Sequence, residues 1–195
     1  TVLLVCVWVI FVGIGLFLGA IGPAVPDLAR LTGSSVEAVG AIFSTVFFGA
    51  LFAQLAAGQI MDRFGMRLLI LFGIVLSAGA ALALVNSVTL TTVLVLAAVV
   101  GIGHGAMDIT SQVYIARIFG RDSLRALNSI HLFFGIGTVI GPTVASFALR
   151  EVGSALPAIA LAAVTPLLVL PILWFQLREL PRNAANESAI QPTTR

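Results

Sequence analysis

Six long runs of apolar residues, separated by short polar segments, set the pattern of this chain. Each run is long enough to cross a bilayer, because a hydrocarbon core of about 30 Å needs roughly 20 helical residues. The runs cover approximately residues 2–25, 36–60, 68–85, 90–115, 124–149 and 155–175. The pattern predicts an all-α membrane protein, a bundle of six transmembrane helices over residues 1–178. Residues 179–195 are polar and lack periodicity, which predicts a cytoplasmic tail or a linker.

The composition supports a membrane location and argues against several kinds of function. Of the 195 residues, 59% are hydrophobic and 9% are charged, whereas a soluble domain carries roughly 25% charge. The single Cys6 lies in an apolar run, so disulfides and cysteine-ligated metals are not expected. No basic patch with interleaved aromatic residues occurs, so nucleic acid is not an expected partner. We also expect no cofactor and no enzymatic activity.

The arginines predict how the bundle is oriented in the membrane. All ten basic residues are arginines, and two of them, Arg30 and Arg150, follow the first and fifth apolar runs. The other eight follow the second, fourth and sixth apolar runs: Arg63, Arg67, Arg117, Arg121, Arg125, Arg178, Arg182 and Arg195. Because basic residues accumulate on the cytoplasmic side, we expect these segments and both chain ends to be cytoplasmic, with the protein in the cell (inner) membrane.

Asp108 is the main candidate for chemistry. It lies nine residues before Arg117, or roughly 13 Å along a helix, which places it near the middle of the bilayer. His104 and Gln112 are each four residues away and share its helical face. Acids inside transmembrane segments usually serve transport or proton movement. The pattern therefore favours a proton-carrying acid beside a polar cavity, and the alternative is an acid that a neighbouring helix satisfies for structural reasons.

The fifth run adds Asn128 and His131, which are three residues apart on a similar face. They could line the same cavity, as hydrogen-bonding groups or as a second titrating site. The alternative is that they tie helices together through interhelical hydrogen bonds. His104, Asp108 and His131 do not have a spacing that calls for a metal ion, so no metal site is expected.

Other polar and small residues have simpler expected roles. Ser44, Thr45 and Gln54 are mildly polar positions in the second run, and one of them could line a cavity. Most of the glycines favour close helix packing. Asp27 follows Pro23 and Pro26 at the predicted end of the first helix, where we expect it to be solvated.

The segment 58–67 joins the second and third runs and is predicted to be a tight loop. Its distinctive residues are Gly58, Asp62, Arg63, Gly65 and Arg67. This spacing resembles the cytoplasmic signature between helices 2 and 3 of the major facilitator superfamily. The resemblance implies a secondary transporter, with six helices in two three-helix repeats forming one half of the fold. It also implies that Asp62 contacts the opposite half of the molecule. Arg117, Gly120 and Arg121, after the fourth run, weakly echo the segment.

Two further segments narrow the resemblance. Residues 103–112 resemble the fourth span of fucose-permease-like sugar:proton symporters, and residues 126–142 resemble their fifth span. The match extends from residue 1 to about residue 178 and corresponds to an N-terminal half. It implies that Asp108 is the acid of proton coupling and sugar recognition. Gln112 stands where those proteins have asparagine, and the first span here lacks the acid that the fucose permease has.

Two hypotheses follow from the sequence. In the first, the chain is half of a proton-coupled transporter for a sugar or another small polar solute. The second half would then come from the same chain, a second copy or a separate chain. In the second, the chain is a transporter-derived scaffold in a larger membrane complex and does not transport. The hypotheses differ in what covers the face that bears His104 and Asp108.

Overall fold

The computed structural model describes residues 2–176 and shows an all-helical chain. Two short 3-10 segments, Gly120–Asp122 and Thr165–Val169, interrupt the α-helices. The helices are α1 (Val2–Thr32), α2 (Val36–Gly40), α3 (Ile42–Phe64), α4 (Met66–Leu84), α5 (Leu90–Phe119), α6 (Ser123–Val152), α7 (Leu156–Val164) and α8 (Leu170–Gln176). The predicted tail at 179–195 and its arginines, together with Arg178, lie outside the described residues.

Within residues 2–176, five helical stretches are long and apolar enough to cross a membrane. These stretches are Val2–Thr32, Val36–Phe64, Met66–Leu84, Leu90–Val152 and Leu156–Gln176. The fourth has 63 residues and contains both α5 and α6, joined by the 3-10 turn. The first predicted helix was too short, because α1 continues through Pro23 and Pro26 to Thr32. Membrane helices tolerate proline where neighbouring groups satisfy the freed backbone carbonyls.

The segment 58–67 is mostly helix, so the predicted tight loop was too long. Helix α3 continues to Phe64 and α4 begins at Met66, which leaves Gly65 as the whole connection. Gly65 has φ 86°, a backbone conformation that a side chain would disfavour. Its amide donates to the carbonyl of Met61 at 2.8 Å and closes the last turn of α3. One glycine therefore reverses the chain direction.

Two helix pairs are held together by direct backbone contact at glycines. On α1, Gly15 and Gly19 lie against Gly137 and Gly141 of α6. A side chain at any of these four positions would collide with backbone atoms of the other helix. Small residues at such positions allow the van der Waals contact that drives helix association in lipid. Packing was predicted for most of the glycines, and Gly15 and Gly19 have that role at this contact.

The second pair is α3 with α5. A Cβ atom at Gly101 would overlap the Val46 carbonyl oxygen, and one at Gly105 would overlap that of Ala50. Both contacts advance by four residues along each helix, so α3 and α5 run in parallel. The opposite side of α3 carries exposed apolar side chains, including Phe48, which is 59% exposed. Helix α3 thus has one face against α5 and another that is free to meet lipid or another helical body.

Asp27 is buried, so the prediction that it is solvated was wrong. Its Oδ2 atom accepts hydrogen bonds from the backbone amide of Ala155 at 2.7 Å and from the Ser154 hydroxyl at 3.0 Å. Its Oδ1 atom pairs with the Arg30 guanidinium at 2.9 Å. Because α1 extends beyond the prolines, it carries Asp27 to the start of α7. A carboxylate at that helix start satisfies an otherwise unpaired amide.

The glycine contacts predict a specific pattern of stability. We expect Gly101→Ala to destabilise the folded protein by about 1–3 kcal/mol, because the added methyl group collides with the backbone of α3. Gly79→Ala is the matched control, since a Cβ atom at Gly79 would meet no atom within 4 Å. Thermal unfolding in detergent measures both. Equal losses in the two variants would contradict the close α3–α5 contact.

Removing the Asp27 carboxylate should also destabilise the protein. In Asp27→Ala the Ala155 amide and the Ser154 hydroxyl lose their charged acceptor, and we expect a loss of about 2 kcal/mol. Glu151→Ala is the control, because Glu151 is an exposed acid at the same end of the bundle. The assay is again thermal unfolding, and a fully stable Asp27→Ala variant would show that the buried contacts contribute little.

Candidate functional site

The Asp108 carboxylate lies at the centre of a small hydrogen-bonded cluster. Its Oδ1 atom accepts from Gln112 Nε2 at 2.9 Å, and its Oδ2 atom accepts from Gln54 Nε2 at 3.0 Å. Asp108 and Gln112 are half-buried, whereas Gln54 is exposed. Each carboxylate oxygen thus has one amide donor, and the cluster faces an open side of the helices.

The glycine contacts of α5 bring Gln54 to Asp108. Gly105 precedes Asp108 by one helical turn, and Ala50 precedes Gln54 by one turn. Since Gly105 and Ala50 lie in backbone contact, the next turn of the parallel helices places the two polar side chains opposite each other. A bulkier residue at Gly105 would separate the helices and lengthen the Gln54–Asp108 hydrogen bond.

The two candidate residues of α6 are both exposed but differ in their surroundings. The His131 ring lies edge-on to Phe11, with ring centroids 5.9 Å apart. His131 is also near enough to Asp108 for the charges of the two side chains to interact. Asn128 makes no side-chain hydrogen bond within residues 2–176. The structure therefore brings His131 to the Asp108 cluster and leaves Asn128 as an open polar side chain.

His104 occupies a different environment from its neighbours on α5. It is buried, with 7% of its surface exposed. Its ring packs edge-on against Phe17 of α1, with centroids 5.1 Å apart. Its Nδ1 atom has no hydrogen-bond partner within the described part of the chain. His104 thus lies between α5 and α1 and is not bonded to Asp108, although it is one turn away.

Trp8 of α1 adds an aromatic contact to α6 that the sequence did not reveal. Its indole N–H donates to the Ser129 hydroxyl at 2.9 Å. Its ring stacks on Phe133, with centroids 4.6 Å apart and planes 16° apart. Trp8, Ser129 and Phe133 are all half-buried. Tryptophan and serine in apolar runs offer no signal of pairing until the helices that carry them are known to touch.

The residues of the signature do not pair with one another. Asp62 is exposed, and it forms no ion pair within residues 2–176. The Arg63 guanidinium lies 5.3 Å from the ring centroid of Phe64. The Arg67 guanidinium lies over the Trp174 ring at 4.2 Å, which links the start of α4 to α8. Gly58 is exposed, with open space where a side chain would be.

Among the signature residues, Arg67 has buried hydrogen-bond donors without an acceptor in the part of the chain that the structure describes. Its Nε and Nη2 atoms are buried and have no hydrogen-bond acceptor among the described residues. The Trp174 ring offers a cation–π contact, which is strongest where water is excluded. The start of α4 is thereby attached to the last helix of the described chain by an aromatic contact.

Comparison with known proteins identifies the family. The family model described as the Major Facilitator Superfamily matches residues 6–194. This chain belongs to the Major Facilitator Superfamily. The expected resemblance is confirmed at the level of the superfamily, and the all-helical chain with its long apolar helices agrees with the fold of that superfamily.

The curated relatives of this major facilitator chain are distant. Sodium-dependent glucose transporter 1 of Homo sapiens is 27% identical over 147 residues, which are 74% of this chain and 28% of the relative. Major facilitator superfamily domain-containing protein 4A of Pongo abelii is 27% identical over 159 residues, or 81% of this chain and 31% of the relative. MFS-type transporter SLC18B1 of Rattus norvegicus is 24% identical over 175 residues, or 86% and 38%. The chain spans about a third of the length of these relatives.

The Asp108 cluster can alternate between two hydrogen-bonding states. An ionised carboxylate accepts from both glutamine amides, whereas a protonated one becomes a donor as well. A charged side chain at the centre of a bilayer costs about 3 kcal/mol, so protonation and deprotonation change the energy of the site substantially. The open side of the cluster leaves the carboxylate accessible for such a change of protonation.

A double-mutant cycle tests the link between α3 and Asp108. We expect Gln54→Ala and Asp108→Ala to be coupled by about 1 kcal/mol, because each removes the same interhelical hydrogen bond. The control pair is Thr45→Ala with Asp108→Ala, since the Thr45 hydroxyl bonds to carbonyls of residues 41 and 42. Unfolding free energies in detergent give both couplings. Equal values in the two cycles would show that Gln54 does not contact the carboxylate in the membrane protein.

Proposed function

We propose that this chain is one half of a secondary transporter that moves a sugar or another small polar solute, coupled to protons through Asp108. The observation that carries the proposal is the Asp108 carboxylate between Gln54 and Gln112 on an open helical face. Family membership supports transport of a solute. The carboxylate and the two amide side chains suit a ligand with hydroxyl groups.

The proposal includes six membrane crossings. Helices α5 and α6 form one 63-residue stretch, which would be about 95 Å long if it were straight. This length is roughly three times the hydrocarbon core of a bilayer. The 3-10 turn and Gly120, with φ 48°, separate the two helices, which also contact each other. These observations support two antiparallel crossings in that stretch.

The packing also supports two three-helix repeats. With six crossings, α1 and α6 are the first and fifth, and α3 and α5 are the second and fourth. If the first crossing is equated with the fourth and the second with the fifth, the α1–α6 pair corresponds to the α5–α3 pair. Both pairs run in parallel and both meet through glycines. Helix packing therefore has the internal symmetry that such repeats would produce.

Transport requires a second half, because solutes cross such proteins at a site between two halves that rock about it. We propose that this partner covers the face bearing Gln54, Asp108 and His131. It could be part of the same longer chain, a second copy or a separate chain. His104 and Asn128 would contribute as a buried neighbour and an exposed hydrogen-bonding side chain respectively. The arginine distribution in the sequence supports a cytoplasmic position for the Gly65 turn and for both ends of the sequence.

Reconstituted transport tests the role of Asp108. The protein is purified together with its second half and reconstituted in proteoliposomes. We then expect an inward proton gradient to drive accumulation of radiolabelled glucose. Asp108→Asn keeps the size of the side chain but cannot ionise, so accumulation should fall to the level set by the glucose gradient alone. Exchange of internal for external glucose should remain. Asp122→Asn, at an exposed acid, should retain coupled uptake.

Other outcomes would revise the proposal in defined ways. One relative is named as a sodium-dependent glucose transporter, so a sodium gradient is the second arm of the assay. If a sodium gradient drives uptake and Asp108→Asn abolishes it, Asp108 would keep its coupling role, but the coupled ion would be sodium and not the proton. If another solute is taken up and glucose is not, the proposed substrate would change and the coupling mechanism would stand. A folded protein that transports none of the solutes tested with either gradient would favour the scaffold alternative.

A further inference from the structure

The turn between α5 and α6 carries three arginines that the candidate site does not use. Arg117 lies in the last turn of α5, Arg121 in the 3-10 segment and Arg125 in the first turns of α6. All three are exposed, and none forms an ion pair or a side-chain hydrogen bond within residues 2–176. Asp122 is the one acid in the interval 117–125, which leaves a local net charge of +2. The charge is therefore unbalanced within the described chain.

Two large apolar side chains lie among these arginines. Leu124 is 72% exposed and Ile118 is 47% exposed. Exposed apolar groups beside exposed cations are unfavourable in water, but they match the boundary between lipid headgroups and acyl chains. A purely acidic protein segment would leave both apolar side chains without a partner. This mixed surface favours a lipid.

The helix lengths place the turn at that boundary. Helices α5 and α6 have 30 residues each, or about 45 Å, whereas the hydrocarbon core is about 30 Å thick. The excess carries the ends of both helices into the headgroup layer. Arginine can hold a phosphate with two parallel hydrogen bonds. The turn thus presents three such groups at the depth of the lipid phosphates.

We propose that the α5–α6 turn is a binding site for the phosphate of an anionic phospholipid, formed by Arg117, Arg121 and Arg125, with Ile118 and Leu124 in the adjoining acyl region. The site is separate from Asp108; it rests on the proposal that α5 and α6 cross the membrane separately, but not on transport or on its substrate. It would make the association of this turn with the membrane depend on lipid charge. The preference should weaken with salt, because the Debye length falls from about 10 Å at 0.1 M to about 3 Å at 1 M.

Lipid titration of the purified protein tests this site. In a non-ionic detergent at low salt, the thermal unfolding midpoint is followed as phosphatidylglycerol or phosphatidylcholine is added. We expect saturable stabilisation by phosphatidylglycerol at lower concentrations than by phosphatidylcholine. Each basic residue near an anionic surface contributes about fivefold, so R117Q/R121Q/R125Q should lose roughly 100-fold in apparent affinity for phosphatidylglycerol. R117K/R121K/R125K should keep most of it, because the charge remains.

The controls separate lipid binding from folding defects and from simple anion binding. R150Q removes an exposed arginine at the other end of α6 and should leave the preference intact. If the triple variant does not fold, R121Q alone should lose about fivefold. Equal affinities for the two lipids, or an unchanged preference in every glutamine variant at the turn, would overturn the proposal. Equal stabilisation by inorganic phosphate would also overturn it, by showing a site for a free anion.

Discussion

Backbone contact between parallel helices is the constraint on which the rest of this structure depends. In lipid the hydrophobic effect does not drive helices together, so close van der Waals contact at small residues must do so. The glycines of α5 bring its backbone against that of α3, as Gly15 and Gly137 do for α1 and α6. The same contact determines how far Gln54 is from Asp108. The glycine contacts between α3 and α5 therefore determine both the helix packing and the geometry of the polar site.

The two acids inside the bundle show how their surroundings determine their roles. Asp27 receives hydrogen bonds from a backbone amide and a hydroxyl, pairs with Arg30 and is buried at the junction of α1 and α7. All of its partners belong to the ends of helices, so its contribution is to hold those ends together. Asp108 receives two flexible side-chain amides and stays half-exposed. An acid with movable partners and an open side can change its protonation state without unfolding its surroundings.

The apolar runs were sufficient to predict an all-helical membrane chain, because a bilayer imposes a minimum length on every crossing. They also placed Asp108 and Gln112 on one face, since residues four apart share a face in any α-helix. The sequence could not select Gln54 over Ser44 and Thr45, because that choice depends on the register between α3 and α5. It misplaced Asp27 for a similar reason. The two prolines suggested a helix end, whereas contacts with α7 allow α1 to continue past them.

The connection through Gly65 has a mechanical consequence for the bundle. A single residue spans a fixed distance of a few ångströms between its neighbours, so α3 and α4 cannot separate at that end. Any displacement of the end of α3 must therefore be followed by the first turn of α4. From there the Arg67–Trp174 contact extends to α8. Helix α3, early in the chain, is thus connected to α8, near the end of the described residues, through Gly65 and the Arg67–Trp174 contact. The angle between α3 and α4 can change at Gly65, but the distance between their ends cannot.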